Sequence, residues 1–131
     1  MEPLLQKIDC VRLPVPDLDA ALAFYRGRLG HELIWRSATA AGLRLPQSDC
    51  ELVLQTERPE GEVDWKVDSA DEAVEFFAHA GGTVIEPPFD IPIGRCAVVR
   101  DPWGNQLVLL DSSKGTFVTD SQGNITGLSK P

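Results

Sequence analysis

Apolar and polar side chains alternate from Lys7 to Val15. Val11, Leu13 and Val15 share one face; Cys10 and Arg12 share the other. A period of two over this length predicts a half-buried strand at 7–15. Pro16-Asp17 then opens a helix, with Asp17 as N-cap acceptor for a free backbone N–H. Leu18, Leu22, Tyr25 and Leu29 follow at spacings of 4, 3 and 4, a single helical stripe that stops at Gly30. Residues 32–37, 41–46 and 50–56 read as three strands, with Ala41-Gly42 and Gln47-Ser48-Asp49 as turn material.

The pattern then starts again. A strand at 62–67 is followed by Ser69-Ala70-Asp71-Glu72, which fits a capping box in which Glu72 reaches back to the cap residue. Ala70, Ala73, Val74, Phe77 and Ala80 form the apolar stripe of a second helix, and Gly81-Gly82 ends it. Strands are predicted at 83–86, 95–100 and 105–111. Pro87 to Gly94 reads as a proline-rich loop, either a lid or a stiff spacer. Asp101-Pro102-Trp103-Gly104-Asn105 is a tight turn. Residues 116–128 read as a terminal hairpin turning at 120–124.

The two passages are copies. Residues 8–30 shifted by 52 fall on 60–82, placing Val11 on Val63, Leu13 on Trp65, Phe24 on Phe76 and Gly30 on Gly82. A shift of 55 places Glu51–Gln55 on Gln106–Leu110. Internal repetition sets the architecture. A βαβββ module has one apolar sheet face that it cannot bury alone. The expectation is an α+β fold in which two βαβββ modules form a curved, cup-like mixed sheet with helices outside. It is a single domain over 1–131: module one at 7–57, module two at 62–112, and a C-terminal hairpin tail at 113–131.

Composition narrows the class. A net charge of −8 disfavours nucleic acid and anionic membrane as partners and suits a cationic ligand. Three widely spaced cysteines argue against a disulfide framework and for a reducing, cytoplasmic setting. The N-terminal stretch lacks the basic and apolar segments of a secretory signal. No HExxH, phosphate-cradling glycine loop or Ser-His-Asp set is present.

The repeat, the Asp17…Phe24-Tyr25…Leu29-Gly30 run, Gly81-Gly82 and the Asp101–Gln106 turn together resemble the vicinal oxygen chelate superfamily. That superfamily includes glyoxalase I, extradiol dioxygenases, fosfomycin-resistance enzymes and bleomycin-resistance proteins. The resemblance covers about residues 7–112. It implies metal ligands (His, Glu or Gln) on the cup-facing side of the first and last strands of each module. Carried over by position, those places hold Cys10, Glu62, Val53 and Val108. Two valines cannot ligate a metal. A divalent ion needs three or four N or O donors at about 2.0–2.3 Å. The reading is therefore no metal, no other cofactor and no catalytic residue.

Strand phase assigns the remaining candidates. Val11, Leu13, Leu52, Leu54, Trp65, Val67, Leu107 and Leu109 pack under the helices. The opposite face carries Cys10, Arg12, Val53, Gln55, Glu62, Asp64, Lys66 and Val108, and Trp35 at the rim stacks on a planar ligand. Arg12 and Asp64 hold equivalent places in the two copies and are candidates for an ion pair. Trp65 is structural, Trp103 packs locally in its turn, and His31 and His79 face solvent. Cys10 lacks a neighbouring His and reads as a small hydrophobe. The expected function is metal-independent binding of a small, cationic organic molecule by a homodimer, as in drug-sequestering bleomycin-resistance proteins. The competing reading is a metal-dependent lyase, isomerase or dioxygenase with a relocated site.

Overall fold

The computed structural model describes residues 2–130. Met1 and Pro131, the ends of the single-domain reading, lie outside the described residues. The element order is β1 (Lys7–Pro14), α1 (Leu18–Leu22) continued by a π-helical turn (Ala23–Arg28), β2 (Leu33–Arg36), β3 (Ala40–Arg44), β4 (Glu51–Gln55), β5 (Glu62–Lys66), α2 (Ala70–His79), β6 (Thr83–Ile91), β7 (Gly94–Arg100), β8 (Gln106–Leu110) and a hairpin of β9 (Thr116–Thr119) with β10 (Ile125–Ser129). The βαβββ order occurs twice, and the fold is α+β with a mixed sheet, as the repeat requires.

The chain divides into two compact units. One comprises Asp9–Glu62 with Phe117–Gly127; the other comprises Val63–Thr116 with the N-terminal residues to Ile8 and the C-terminal residues from Leu128. In the first the strands run in the order β2-β3-β4-β1, with β1 and β4 parallel and the others antiparallel. In the second the order is β5-β8-β7-β6, with β5 and β8 parallel. Each helix covers one face of its own strands. Leu18 and Leu22 pack on Ala41, Leu43 and Leu54; Ala73 and Val74 pack on Val67, Ala97, Val99 and Leu109. Fully burying one such leucine or valine is worth about 1.5–3 kcal/mol.

Both N-caps fall on the expected residues. Asp17 Oδ1 accepts from the N–H of Ala20 at 3.1 Å, and Ser69 Oγ accepts from the N–H of Glu72 at 3.2 Å. Gly30 and Gly81 close the two helices at φ 82 and 113, a region that favours glycine.

Four local expectations are corrected. The first helix keeps its stripe through Leu18, Leu22 and Tyr25 but not Leu29: the N–H of Leu29 bonds the carbonyl of Phe24, five residues back, at 3.0 Å. That π turn shifts the phase and leaves Leu29 exposed. Ala41-Gly42 is no turn but the middle of β3; the chain reverses at Ser37–Ala40, where Ser37 N–H bonds the Ala40 carbonyl. The proline-rich segment is neither lid nor spacer. It continues β6 and pairs with β7 at Phe89↔Cys96, Asp90↔Arg95 and Ile91↔Gly94. Register shifts between Val84 and Phe89 absorb Pro87 and Pro88, and β6 ends its unit's strand order, where missing N–H groups leave no neighbour unsatisfied. Trp103 does not pack into its turn but stands 83% exposed.

Candidate functional site

In the first unit, the sheet face away from the helix is built on Cys10, Ala40 and Val53, all buried, with Trp35 packed over them. The placement of Trp35 depends on a bulge. Leu33 pairs with Leu43 but Trp35 pairs with Gly42, so one extra residue sits in β2. In a regular strand Leu33 and Trp35 would share a face; the bulge sends Leu33 to the helix side and Trp35 to the other. Gly42 makes room, since a Cβ there would overlap the indole ring. Trp35 Nε1 donates to Glu51 Oε1 at 2.7 Å across β3. The far side of the ring meets Phe117 of β9, centroids 5.4 Å apart at 54°. Trp35 is thus held on this face from several directions.

The charged groups of this face form a chain of contacts. Arg12 Nη2 donates to Glu57 Oε1 at 2.9 Å, and Thr39 Oγ1 donates to Glu57 Oε2 at 2.6 Å. Arg12 Nε lies 3.9 Å from Glu62 Oε2, and Arg58 Nη1 lies 3.2 Å from Glu62 Oε1. The carboxylates facing Arg12 in this unit are therefore Glu57 and Glu62. The Glu62 side chain is 15% exposed and that of Arg58 61%, so water competes for the second contact.

Gln55, expected on the same face, is buried but turned to the chain that follows. Its Oε1 accepts from the N–H of Glu57 (2.7 Å) and of Arg58 (2.8 Å); its Nε2 donates to the carbonyls of Arg58 (3.0 Å) and Glu60 (3.2 Å). All of its amide capacity is used to shape the 56–60 segment.

In the second unit, Val108 packs with Cys96, Val98 and Leu110 on the face away from α2, and Ile91 and Ile93 pack against them. Asp64 is buried and Lys66 half-buried on β5. Sequence reasoning passed over Asp111, which is buried just beyond β8. Its Oδ2 accepts from the N–H of Ala70 at the start of α2; its Oδ1 accepts from the N–H of Arg95, the N–H of Ser113 and the Ser113 hydroxyl. Burial pulls its pKa up, but these donors, led by the Ala70 N–H, outweigh it and hold the carboxyl below the usual value. A lone Asp after an apolar strand gives no periodic signal. In the structure Gly94 leaves it room, since a Cβ there would overlap Asp111.

The four places at which the superfamily would hold a metal can now be weighed by their chemistry. Val53 is 1% and Val108 6% exposed, and both sit in apolar clusters. Glu62 is engaged by two guanidinium groups. Cys10 is buried among apolar side chains. Among the described residues, no three His, Cys, Asp or Glu side chains converge to hold an ion. The donor set does not fit the superfamily's metal.

The model of the Glyoxalase/Bleomycin resistance protein/Dioxygenase superfamily matches residues 7–109. The chain belongs to that superfamily. Solved structures share its fold. It is similar to a NAD-dependent benzaldehyde dehydrogenase from Legionella pneumophila (21% identity, TM-score 0.65, 79% of this chain and 97% of that one). It is also similar to methylmalonyl-CoA epimerase from Mycobacterium tuberculosis (20%, 0.66, 82% and 89%) and to the Mn(II)-bound glyoxalase from Novosphingobium aromaticivorans (21%, 0.58, 83% and 40%). No curated protein sequence matches the chain significantly. At these identities the likeness is one of fold. The superfamily match ends before the β9–β10 hairpin, the element that sets Phe117 on Trp35. No helix among the described residues is long and apolar enough to cross a membrane.

Proposed function

We propose that this superfamily member binds a small cationic organic molecule without a metal, sequestering it in the manner of bleomycin-resistance proteins. The observation that carries the reading is the pair of buried valines, Val53 and Val108, at places where a superfamily enzyme needs oxygen donors. A valine side chain has no lone pair, and a neighbouring donor would have to move across apolar packing to replace it. What these faces offer a guest is apolar contact and carboxylate charge.

In this reading the ligand's cation competes with the exposed guanidinium of Arg58 for Glu62. Arg12 stays in place, held by Glu57. The indole of Trp35, on the same unit's face, completes the recognition. The overall charge of −8 draws a cation toward the protein.

Titration calorimetry of the metal-stripped protein with a panel of cationic glycopeptides tests this. Saturable binding that survives a chelator is the expected result, and Glu62→Gln should weaken it about tenfold, the loss of one charge-assisted contact. Stoichiometric Zn, Ni, Mn or Fe retained through dialysis, or no binding across the panel, overturns it.

A further inference from the structure

The other side of β2 faces a separate cleft. An open cleft of about 800 Å³ is lined by the first helix with its π turn, by the His31–Arg36 segment, and by Ser121 of the tail turn. A volume of this order accommodates a drug-sized molecule. Trp35 points away from it, to the opposite face.

The lining fixes what chemistry the cleft accepts. Leu22 and Leu33 give it an apolar floor. Arg26, on the π turn, brings an exposed guanidinium to it. Arg36 brings a second from a half-buried position on β2, held by a backbone bond from its N–H to the Gly123 carbonyl at 2.8 Å. The acidic groups present are already matched. Glu32 is bridged to Arg44 at 3.0 Å, and Asp19 touches Arg36 through one 3.3 Å contact. Asp19 is 86% exposed, so water competes for it and the contact is easily exchanged. Its carboxylate occupies the position that an incoming carboxylate would take. His31 adds a polar ring to the lining. Its Nδ1 lies 3.1 Å from the Arg44 carbonyl, which only accepts, so Nδ1 donates there.

We infer that this cleft binds a small organic carboxylate. The carboxylate displaces Asp19 from Arg36 and is shared with Arg26, while the ligand's apolar body lies on Leu22 and Leu33. The π turn supports this independently. Such turns recur at functional sites because they move backbone and side chains off the regular helical lattice. Here the turn carries Ala23, Arg26 and Gly27, all of which line the cleft. This site takes the opposite charge to the one in the functional proposal and stands or falls without it.

The test is a titration of the ¹⁵N-labelled full chain with phenylacetate, following backbone amide shifts. Saturable shifts confined to residues 19–36 and 121–123 are expected. Arg26→Gln, which alters an exposed side chain, and Arg36→Gln should each weaken binding by about tenfold. Asp19→Asn should tighten it several-fold by removing the internal competitor. Absence of saturable shifts, shifts unchanged in Arg26→Gln, or no tightening in Asp19→Asn would overturn the assignment. Equal affinity for inorganic phosphate would overturn the carboxylate class.

Discussion

The ends of β4 and β8 occupy matching places in the two repeats, yet each is locked by a different chemistry. Module one uses the neutral amide of Gln55; module two uses the carboxylate of Asp111, one step further along in the repeat. Both side chains are 2% exposed and both make four hydrogen bonds to nearby chain. The amide donates and accepts, so it fastens both carbonyls and N–H groups of one linker. The carboxylate only accepts, so it gathers N–H and O–H groups, including the first free N–H of α2. A charge placed there also meets the positive end of that helix. The difference shows that the repeat conserves a structural need, the closure of a strand end, and leaves the choice of group open. It also makes one of the two locks sensitive to acid and the other indifferent.

The largest expected effect comes from Asp111→Ala. It leaves the buried N–H groups of Ala70 and Arg95 without acceptors and should cost about 3 kcal/mol. Urea unfolding of the variant measures it; a loss below about 1 kcal/mol would mean that the carboxylate does not lock module two. Gln55→Ala should cost less, about 1–2 kcal/mol, because the 56–60 segment it holds is exposed and water can replace the amide. A cost equal to that of Asp111→Ala would erase the distinction between the locks.

The smallest effect is the pH dependence. Asp111 has a folded-state pKa below its unfolded value, so the unfolded chain binds more protons in the window between them. Its contribution is fully present above about pH 4 and is lost as pH falls through the folded value. Asp101 and Asp120, lowered chiefly by the Asn105 side chain and by the Gln122 N–H respectively, add to the same trend. Melting curves of the wild type and Asp111→Asn should therefore converge as pH drops from 5 toward 2. The difference between wild type and Gln55→Ala should stay flat. Parallel curves for the Asp111 pair would show that the charge contributes nothing.

Two turns show how far local sequence reaches. Asp101–Asn105 and Asp120–Asn124 share the pattern Asp-x-x-Gly-Asn, and both were legible as turns. In each, Asp N–H bonds the Asn carbonyl at 2.9 Å, Asp Oδ1 accepts from the residue two along and from Asn N–H, and the glycine has positive φ (92 and 85). Their fates differ. Gly104 is exposed, while Gly123 is buried against Leu33 and accepts the N–H of Arg36. Nothing in five residues distinguishes the turn that stands free from the one that docks.

The amino-acid order determined the two βαβββ modules, their N-caps, the helix-facing side of β1, β4, β5 and β8, and the absence of oxygen donors at Val53 and Val108. These follow from residue type, from periods of two and about 3.6, and from the comparison of one repeat with the other. Tertiary structure alone decided the face taken by Trp35, the path of β6 through two prolines, the partners of Arg12 and Glu62, and the lock made by Asp111. Those outcomes rest on one-residue register shifts and on contacts between distant segments. A bulge inverts a side chain without changing its neighbours in sequence, and a hydrogen bond spanning 41 residues leaves no trace in local pattern.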